Sequence, residues 1–168
     1  MNRASMLWLA VALTVFGAAL AFKHLRPAPA QPLLAWQRPV SELDPAQQAR
    51  WHRVREGIGA AEALRAETGA WPAMDLTGDA RWSLRTGGLA VNYEAEAGGL
   101  RWLVLFLEPD PRVKEPAPPD DDEHHTLADG TALHVTVWTR SASEPPGEVV
   151  SAFPAADGWV ERVARRAE

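Results

Sequence analysis

Metal-ligating side chains are concentrated between Asp120 and His134 of this 168-residue chain. Four consecutive acids, Asp120–Glu123, lead directly into His124 and His125, and a third histidine follows at His134. The chain contains no cysteine, so a metal site must be built from imidazole and carboxylate groups. These ligands suit Zn²⁺ and, with less selectivity, Ni²⁺, Cu²⁺ or Mn²⁺. The acidic run would also raise the local concentration of cations.

The segment between the histidines, Ala128–Thr131, has the composition of a β-hairpin turn. A two-residue turn places His125 opposite His134, whereas a type I turn with a glycine bulge places His124 there. We favour the second register because it sets Leu127 on the apolar, inward face of the hairpin. Directly opposite residues lie about 5 Å apart at their Cβ atoms. In either register, the hairpin therefore brings two imidazoles together.

The predicted metal site combines the hairpin histidines with one acid from the run before them. In the favoured register Asp122 lies opposite Thr136, on the face of the paired imidazoles. The candidate ligands are His124, His125, His134 and Asp122. Because no further ligand is conspicuous, they predict a weak, exchangeable zinc site. Two other interpretations remain open: a solvated hairpin without metal, and a histidine pair that responds to pH.

An apolar segment without charged residues, Met6–Phe22, lies close to the N-terminus. Basic residues flank it on both sides: Arg3, Lys23 and Arg26. As a helix it would span about 25 Å, which is at the short end of what crosses a bilayer. Ala19–Ala21 also fits a signal-peptide cleavage site. Residues 1–26 are therefore interpreted as an anchor or a signal peptide, and we favour an uncleaved, single-pass anchor in the bacterial inner membrane.

The formal charge is divided unevenly along the chain. Residues 1–29 carry +3 and the remainder carries −8. An acidic body argues against a nucleic-acid partner, and its position after a basic, apolar leader predicts a periplasmic domain. Residues 27–40 are rich in proline, which predicts an extended linker between the membrane and that domain.

Residues 41–168 are predicted to form one α+β domain. Asp44, Pro45 and Gly69 are the start and stop signals of a single long helix. Apolar residues then alternate with a period of two, which predicts β-strands. The four strongest are Arg81–Thr86, Leu89–Glu96, Leu100–Glu108 and Thr131–Arg140. The predicted fold is an N-terminal transmembrane helix, followed by one long helix packed on a four- to five-stranded, mostly antiparallel sheet.

The last part of the chain contains weaker signals. A short additional strand is predicted at Glu148–Ala152. Asp157 is a candidate N-cap for a final helix over Gly158–Arg166, in which basic residues near the C-terminus would favour the helix dipole.

Tryptophan is abundant, with eight residues, and most are predicted to pack in the core. We expect Trp82, Trp102 and Trp138 to share one face of the sheet. Since Trp138 has the same strand parity as His134, it should also border the histidine face.

Paired carboxylates at Glu94 and Glu96 lie on one face of a predicted strand. We expect both to face solvent, with Arg81, Arg85 and Arg101 as partners across the sheet. None of the common hydrolase, metalloprotease, phosphate-loop or dinucleotide motifs is present, so we predict a protein without enzymatic activity.

The segment DDDEHHTLADGTALHVTVW resembles an uncharacterised family of small bacterial membrane-anchored proteins that are encoded beside ABC-type metal uptake systems, notably those for zinc. The likeness extends to ETGAWPAMDL, GGLAVNYEAE and LFLEPDP. The resemblance implies one anchor, a periplasmic domain and an accessory role in metal handling. The matching candidate positions are His124, His125 and His134.

The leading prediction is thus a membrane-anchored periplasmic accessory protein that assists zinc uptake, either by weak metal binding or by contact with a membrane transporter component. The alternative is a structural, pilin-like subunit of an envelope assembly that binds no metal. Pilin precursors carry a glutamate near the start of their apolar segment, whereas Met6–Phe22 has no acid.

Overall fold

A capped helix, α1, occupies Pro45–Thr68. It belongs to the computed structural model of the chain, which describes residues 32–113, 121–146 and 149–164. Asp44 Oδ1 accepts a hydrogen bond from the backbone N–H of Gln47, and Gln47 Oε1 accepts one from the Asp44 backbone. This reciprocal pair is a capping box. Gly69 ends the helix in the left-handed conformation, with φ of 75°. The predicted start and stop signals are therefore confirmed.

The inward stripe of α1 packs on the sheet through Val54, Ile58 and Ala61, all of which are buried. Gly57 lies on the same side, where the backbone of Leu76 crosses the helix. A Cβ atom built on Gly57 would lie 2.0 Å from the Leu76 carbonyl oxygen. Glycine at this position therefore permits a close approach between the helix and the loop that follows it.

Seven strands form the sheet within the described residues. They are β1 (Gln37–Pro39), β2 (Ser83–Gly87), β3 (Ala90–Ala97), β4 (Leu100–Leu107), β5 (His124–Thr126), β6 (Ala132–Ser141) and β7 (Val160–Val163). The main order is β1-β7-β6-β4-β3-β2, and all neighbours are antiparallel except β1 and β7. The α+β class and the four long strands are confirmed. The predicted strand number of four to five is wrong, because three short strands complete the sheet.

Two of the short strands, β1 and β7, fall where other structures were predicted. β1 lies within the range 27–40 that was interpreted as a linker, and β7 lies within the predicted final helix. That helix prediction is wrong. Gly158, with φ of 77°, ends a 3-10 turn at Pro154–Asp157, and burial then alternates along β7 as in a strand.

The segment from residue 149 to 152 forms no strand, contrary to the prediction for Glu148–Ala152. It is held by a side chain instead. Asn92 Nδ2 donates to the Ser151 carbonyl at 3.0 Å, and the Ser151 N–H donates to Asn92 Oδ1 at 2.7 Å. The amide thus supplies the donor and acceptor that a neighbouring strand would otherwise provide.

The sheet is covered on both faces. Its first face packs against α1 and contains buried Tyr93, Trp102 and Phe106. Its second face carries a smaller cluster of Ala90, Leu103, Leu105, Trp138 and Trp159. Trp138 pairs with Leu103 rather than with Trp102. The expectation that Trp82, Trp102 and Trp138 share a face is therefore wrong for Trp138, although Trp138 does lie on the face of His134.

Glu94 is buried, with 4% of its surface exposed, which overturns the expectation that it faces solvent. Its carboxylate lies 2.8 Å from Arg85 Nη1 and 3.7 Å from Arg101 Nη1. Glu96 is exposed as expected and lies 3.1 Å from Arg101 Nη2. The flanking strands supply two guanidinium groups to Glu94, which allows a carboxylate to be buried on the second face.

The predicted anchor Met6–Phe22 lies outside the described residues. Among those that are described, no helix is both long enough and apolar enough to cross a membrane.

Candidate functional site

His124 and His134 lie directly opposite each other across the β5–β6 hairpin. This is the favoured register, and Leu127 accordingly is buried on the first face. The two imidazole rings stack with centroids 4.8 Å apart and an interplanar angle of 9°. The short turn fixes the pairing through two backbone hydrogen bonds. The Leu127 N–H donates to the Thr131 carbonyl, and the Gly130 N–H donates to the Leu127 carbonyl.

Each ring of this pair has a carboxylate beside one of its nitrogens. Nδ1 of His124 lies 2.8 Å from Asp121 Oδ1, and Nε2 of His134 lies 3.6 Å from Glu123 Oε2. The other nitrogens, Nε2 of His124 and Nδ1 of His134, make no hydrogen bond to any described residue. A carboxylate behind each ring is the arrangement that orients metal-ligating histidines and increases their basicity.

His125 points to the opposite side of the hairpin. Its Nδ1 lies 2.5 Å from Glu62 Oε1 on α1, and its Nε2 lies 3.2 Å from the Asp122 carbonyl oxygen. The hydrogen bond with Glu62 raises the pKa of His125 above its ordinary value, while burial acts in the other direction. Both ring nitrogens are thus engaged, and His125 connects β5 to the helix.

Asp122 lies before the start of β5, so the expected pairing with Thr136 is not formed. The residue is exposed, and its carbonyl oxygen accepts a hydrogen bond from Arg55 Nη2 at 2.6 Å. The structure therefore brings together two of the four predicted ligands, His124 and His134. Within residues 32–113, 121–146 and 149–164, no group of three or more histidine and acidic side chains is arranged to hold a metal ion.

Three acids at or near the histidine pair were not singled out from the sequence, and the first of them is Asp121, which contacts His124. Glu123 carries the contact with His134, and it belongs to the acidic run. Glu161 comes from β7 and is 5% exposed; Gln37 Nε2 donates to its Oε2 at 3.0 Å. The alternating pattern Val-Glu-Arg-Val at residues 160–163 is the signal that could have placed Glu161 on a strand.

These acids raise the pKa of His134. The Glu123 carboxylate, 3.6 Å from Nε2, raises the pKa of His134; burial opposes that effect, and the charge of Glu161 adds to it. Burial raises the pKa of the Glu161 carboxyl, and the nearby Glu123 charge acts in the same direction. At this site the pKa of His134 and the pKa of Glu161 are therefore both raised above their ordinary values.

A cavity of about 220 Å³ adjoins the acids. β5 and β7 pair with different stretches of the same edge of β6, so the residues around Thr136 have no strand partner on that edge, and the cavity lies there. Asp121, Glu123 and Glu161 line it together with Arg162. The cavity leaves room for solvent beside the contacts between the histidines and the carboxylates.

The fold and the site define an α+β domain that presents a stacked, carboxylate-supported histidine pair at one end of its sheet. Comparisons of the chain with protein-family models, with curated proteins and with solved structures find no match.

Proposed function

We propose that this protein is a membrane-anchored, periplasmic accessory protein of metal uptake, which binds a divalent cation such as Zn²⁺ weakly at His124 and His134. The observation that supports this proposal is the support of both stacked rings by carboxylates. Asp121 is hydrogen-bonded to one nitrogen of His124, and Glu123 lies 3.6 Å from one nitrogen of His134, so each ring keeps its other nitrogen as a candidate ligand.

Two imidazoles supply only part of the coordination shell that zinc prefers. Water, a carboxylate of the acidic run or a group from a transporter component would complete it. An incomplete shell gives fast release, which suits a protein that transfers its ion to another component rather than one that stores it. Because the rings lie parallel, binding to both requires them to rotate toward a common point between their nitrogens.

The proposal is tested with the full chain in detergent micelles, by competition for Zn²⁺ with a chromogenic chelator. We expect dissociation constants in the micromolar range, and we expect His124→Ala and His134→Ala each to weaken binding at least tenfold. His52→Ala is the matched control, because His52 is an exposed histidine on α1 that does not belong to the pair. His125→Ala should also retain binding, since its ring lies on the other side of the hairpin.

Absence of zinc competition, or equal binding by His134→Ala and the unaltered chain, would refute metal binding at this pair. Loss of binding in His125→Ala as well as in His134→Ala would refute the two-histidine assignment. If metal binding is absent and crosslinking in membranes gives regular ladders of the chain, the pilin-like alternative is favoured instead.

A further inference from the structure

An exposed aromatic surface lies at the first described turn of the chain. We name it the aromatic patch and define it by Leu34, Trp36 and Phe153. Leu34 and Phe153 are 49% and 53% exposed, and Trp36 is half-buried. The rings of Trp36 and Phe153 meet edge to face with centroids 5.5 Å apart. Trp36 also packs against the cluster on the second face of the sheet, so the exposed ring of Phe153 extends from that cluster toward solvent. Exposed apolar side chains that are grouped in this way form a candidate contact surface.

The turn that carries the patch is well fixed. The Gln37 N–H donates to the Leu34 carbonyl at 2.9 Å, and the Leu34 N–H donates to Gln37 Oε1 at 3.1 Å. The same Gln37 side chain donates to buried Glu161. Leu34 and Trp36 are therefore held at the surface by a hydrogen-bonded turn that is tied to the sheet.

The patch follows closely after the apolar segment Met6–Phe22 in the sequence. Ten residues, Lys23–Pro32, separate Phe22 from Leu33. A chain of that length reaches at most about 35 Å when fully extended. If the segment is anchored in a membrane, Leu34 and Trp36 are among the first residues of the body that the bilayer surface can contact.

The charge next to the patch suits anionic lipid. The Arg38 guanidinium donates to the carbonyl oxygens of Ala35 and Gln37 at 3.1 and 2.7 Å. No carboxylate of a described residue lies within ion-pair distance of it. Arg38 follows Trp36 by two residues in a body whose formal charge is −8, and Lys23 and Arg26 precede it in the sequence. Tryptophan and basic side chains are the residues that proteins place at the headgroup level.

We propose that the aromatic patch rests in the headgroup region of the membrane, with Arg38 against anionic lipid phosphates. This inference rests on the anchor in the proposed function and goes beyond it, since an anchor alone leaves the body free to tumble on its linker. Contact through the patch gives the domain one preferred orientation at the bilayer.

The absence of cysteine allows a site-directed test with the full chain. Phe153→Cys and, separately, Leu34→Cys are labelled with a nitroxide in phosphatidylcholine vesicles that contain phosphatidylglycerol. Electron paramagnetic resonance then measures the accessibility of each label to oxygen, which partitions into lipid, and to a water-soluble nickel chelate. Val113→Cys is the matched control, because Val113 has a similar exposure of 55% and lies outside the patch.

We expect the oxygen-to-nickel accessibility ratio at positions 34 and 153 to exceed that at position 113 several-fold, and Arg38→Ala to reduce the difference. Equal nickel accessibility at all three positions would overturn the proposal. Shielding of positions 34 and 153 from both reagents would overturn it too, because a protein or a second copy would then cover the patch.

An alkaline wash of the same vesicles separates the two hypotheses. If the wash releases the chain, the anchor in the proposed function is refuted and the orientation falls with it. If the chain remains bound while the patch labels stay accessible to nickel, only the contact of the patch with lipid is refuted.

Discussion

The imidazole of His125 and the carboxylate of Glu62 join β5 to α1, with His125 Nδ1 2.5 Å from Glu62 Oε1. The hydrogen bond with Glu62 raises the pKa of His125 above its ordinary value of 6.5, although burial opposes it. A raised pKa means that the folded state binds the proton more tightly than the unfolded state. The stabilisation is therefore complete below pH 6.5 and is lost as the pH rises through the folded-state pKa.

Glu62→Gln should accordingly lower the free energy of unfolding by about 1 kcal/mol below pH 6.5, because it removes a charge-assisted hydrogen bond that is partly shielded from solvent. The difference from the unaltered chain should shrink at alkaline pH. Urea unfolding at a series of pH values, in the presence of a metal chelator, measures it. Glu67→Gln is the control, since Glu67 is exposed on the same helix. A pH-independent difference would contradict the linkage.

Two glycines of α1 should respond in opposite directions to alanine. At Gly57 a Cβ atom would meet the Leu76 backbone, so Gly57→Ala should destabilise the fold by about 1–3 kcal/mol through forced displacement. At Gly59 a Cβ atom would meet nothing within 4 Å, so Gly59→Ala should stabilise it by about 1 kcal/mol through helix propensity. Chemical denaturation of the two variants measures both signs. A gain in stability for Gly57→Ala would show that the loop at Leu76 moves freely.

The helix and the four long strands could be predicted because their signals are local. Asp44 caps the start of the helix and Gly69 caps its end, and each signal lies directly next to the terminus that it determines. Each antiparallel neighbour in β2–β3–β4 is joined by a short glycine turn, so the pairing is also local. The register of His124 and His134 belongs to the same class, since one bulged turn determines it.

The remaining parts of the sheet and site depend on contacts that are distant in sequence. Gln37 and Glu161 pair across 124 positions, and β1 and β7 contain only a few residues each. No local pattern shows that such short segments are strands. Glu62 and Glu161 are also far from the histidines in sequence, so an inspection of the residues around the histidines does not find them. The burial of Glu94 was predicted wrongly because alternation shows which residues share a face of the sheet. It does not show that two arginines pair with the carboxylate and allow it to be buried.

The buried carboxylate of Glu94 should be much more important for stability than its neighbour on β3. Glu94→Gln removes the carboxylate that pairs with Arg85 and one of the two carboxylates that pair with Arg101, so we expect a loss of about 3 kcal/mol. Glu96→Gln removes a contact of a side chain that is 56% exposed, and we expect a loss below about 1 kcal/mol. Equal losses in urea denaturation would contradict this difference in burial.

Glu161 should behave in the opposite way, because its charged form is disfavoured in the folded state. Burial raises the pKa of its carboxyl above the ordinary 4.5, and the charge of Glu123 adds to the shift. For a raised pKa, the favourable contribution is present below pH 4.5 and is lost as the pH rises through the folded-state value. A glutamine at this position imitates the protonated carboxyl and can still accept the hydrogen bond from Gln37.

Glu161→Gln should therefore match the unaltered chain in acid and exceed its unfolding free energy on the order of 1 kcal/mol at pH values where Glu161 is ionised and His134 is neutral. Urea unfolding across this pH range measures the difference. Glu56→Gln, on the exposed side of α1, should show no such trend. If Glu161→Gln is instead the less stable protein at alkaline pH, then the ionised carboxylate is stabilised by its contacts with Gln37 and the residues around the cavity.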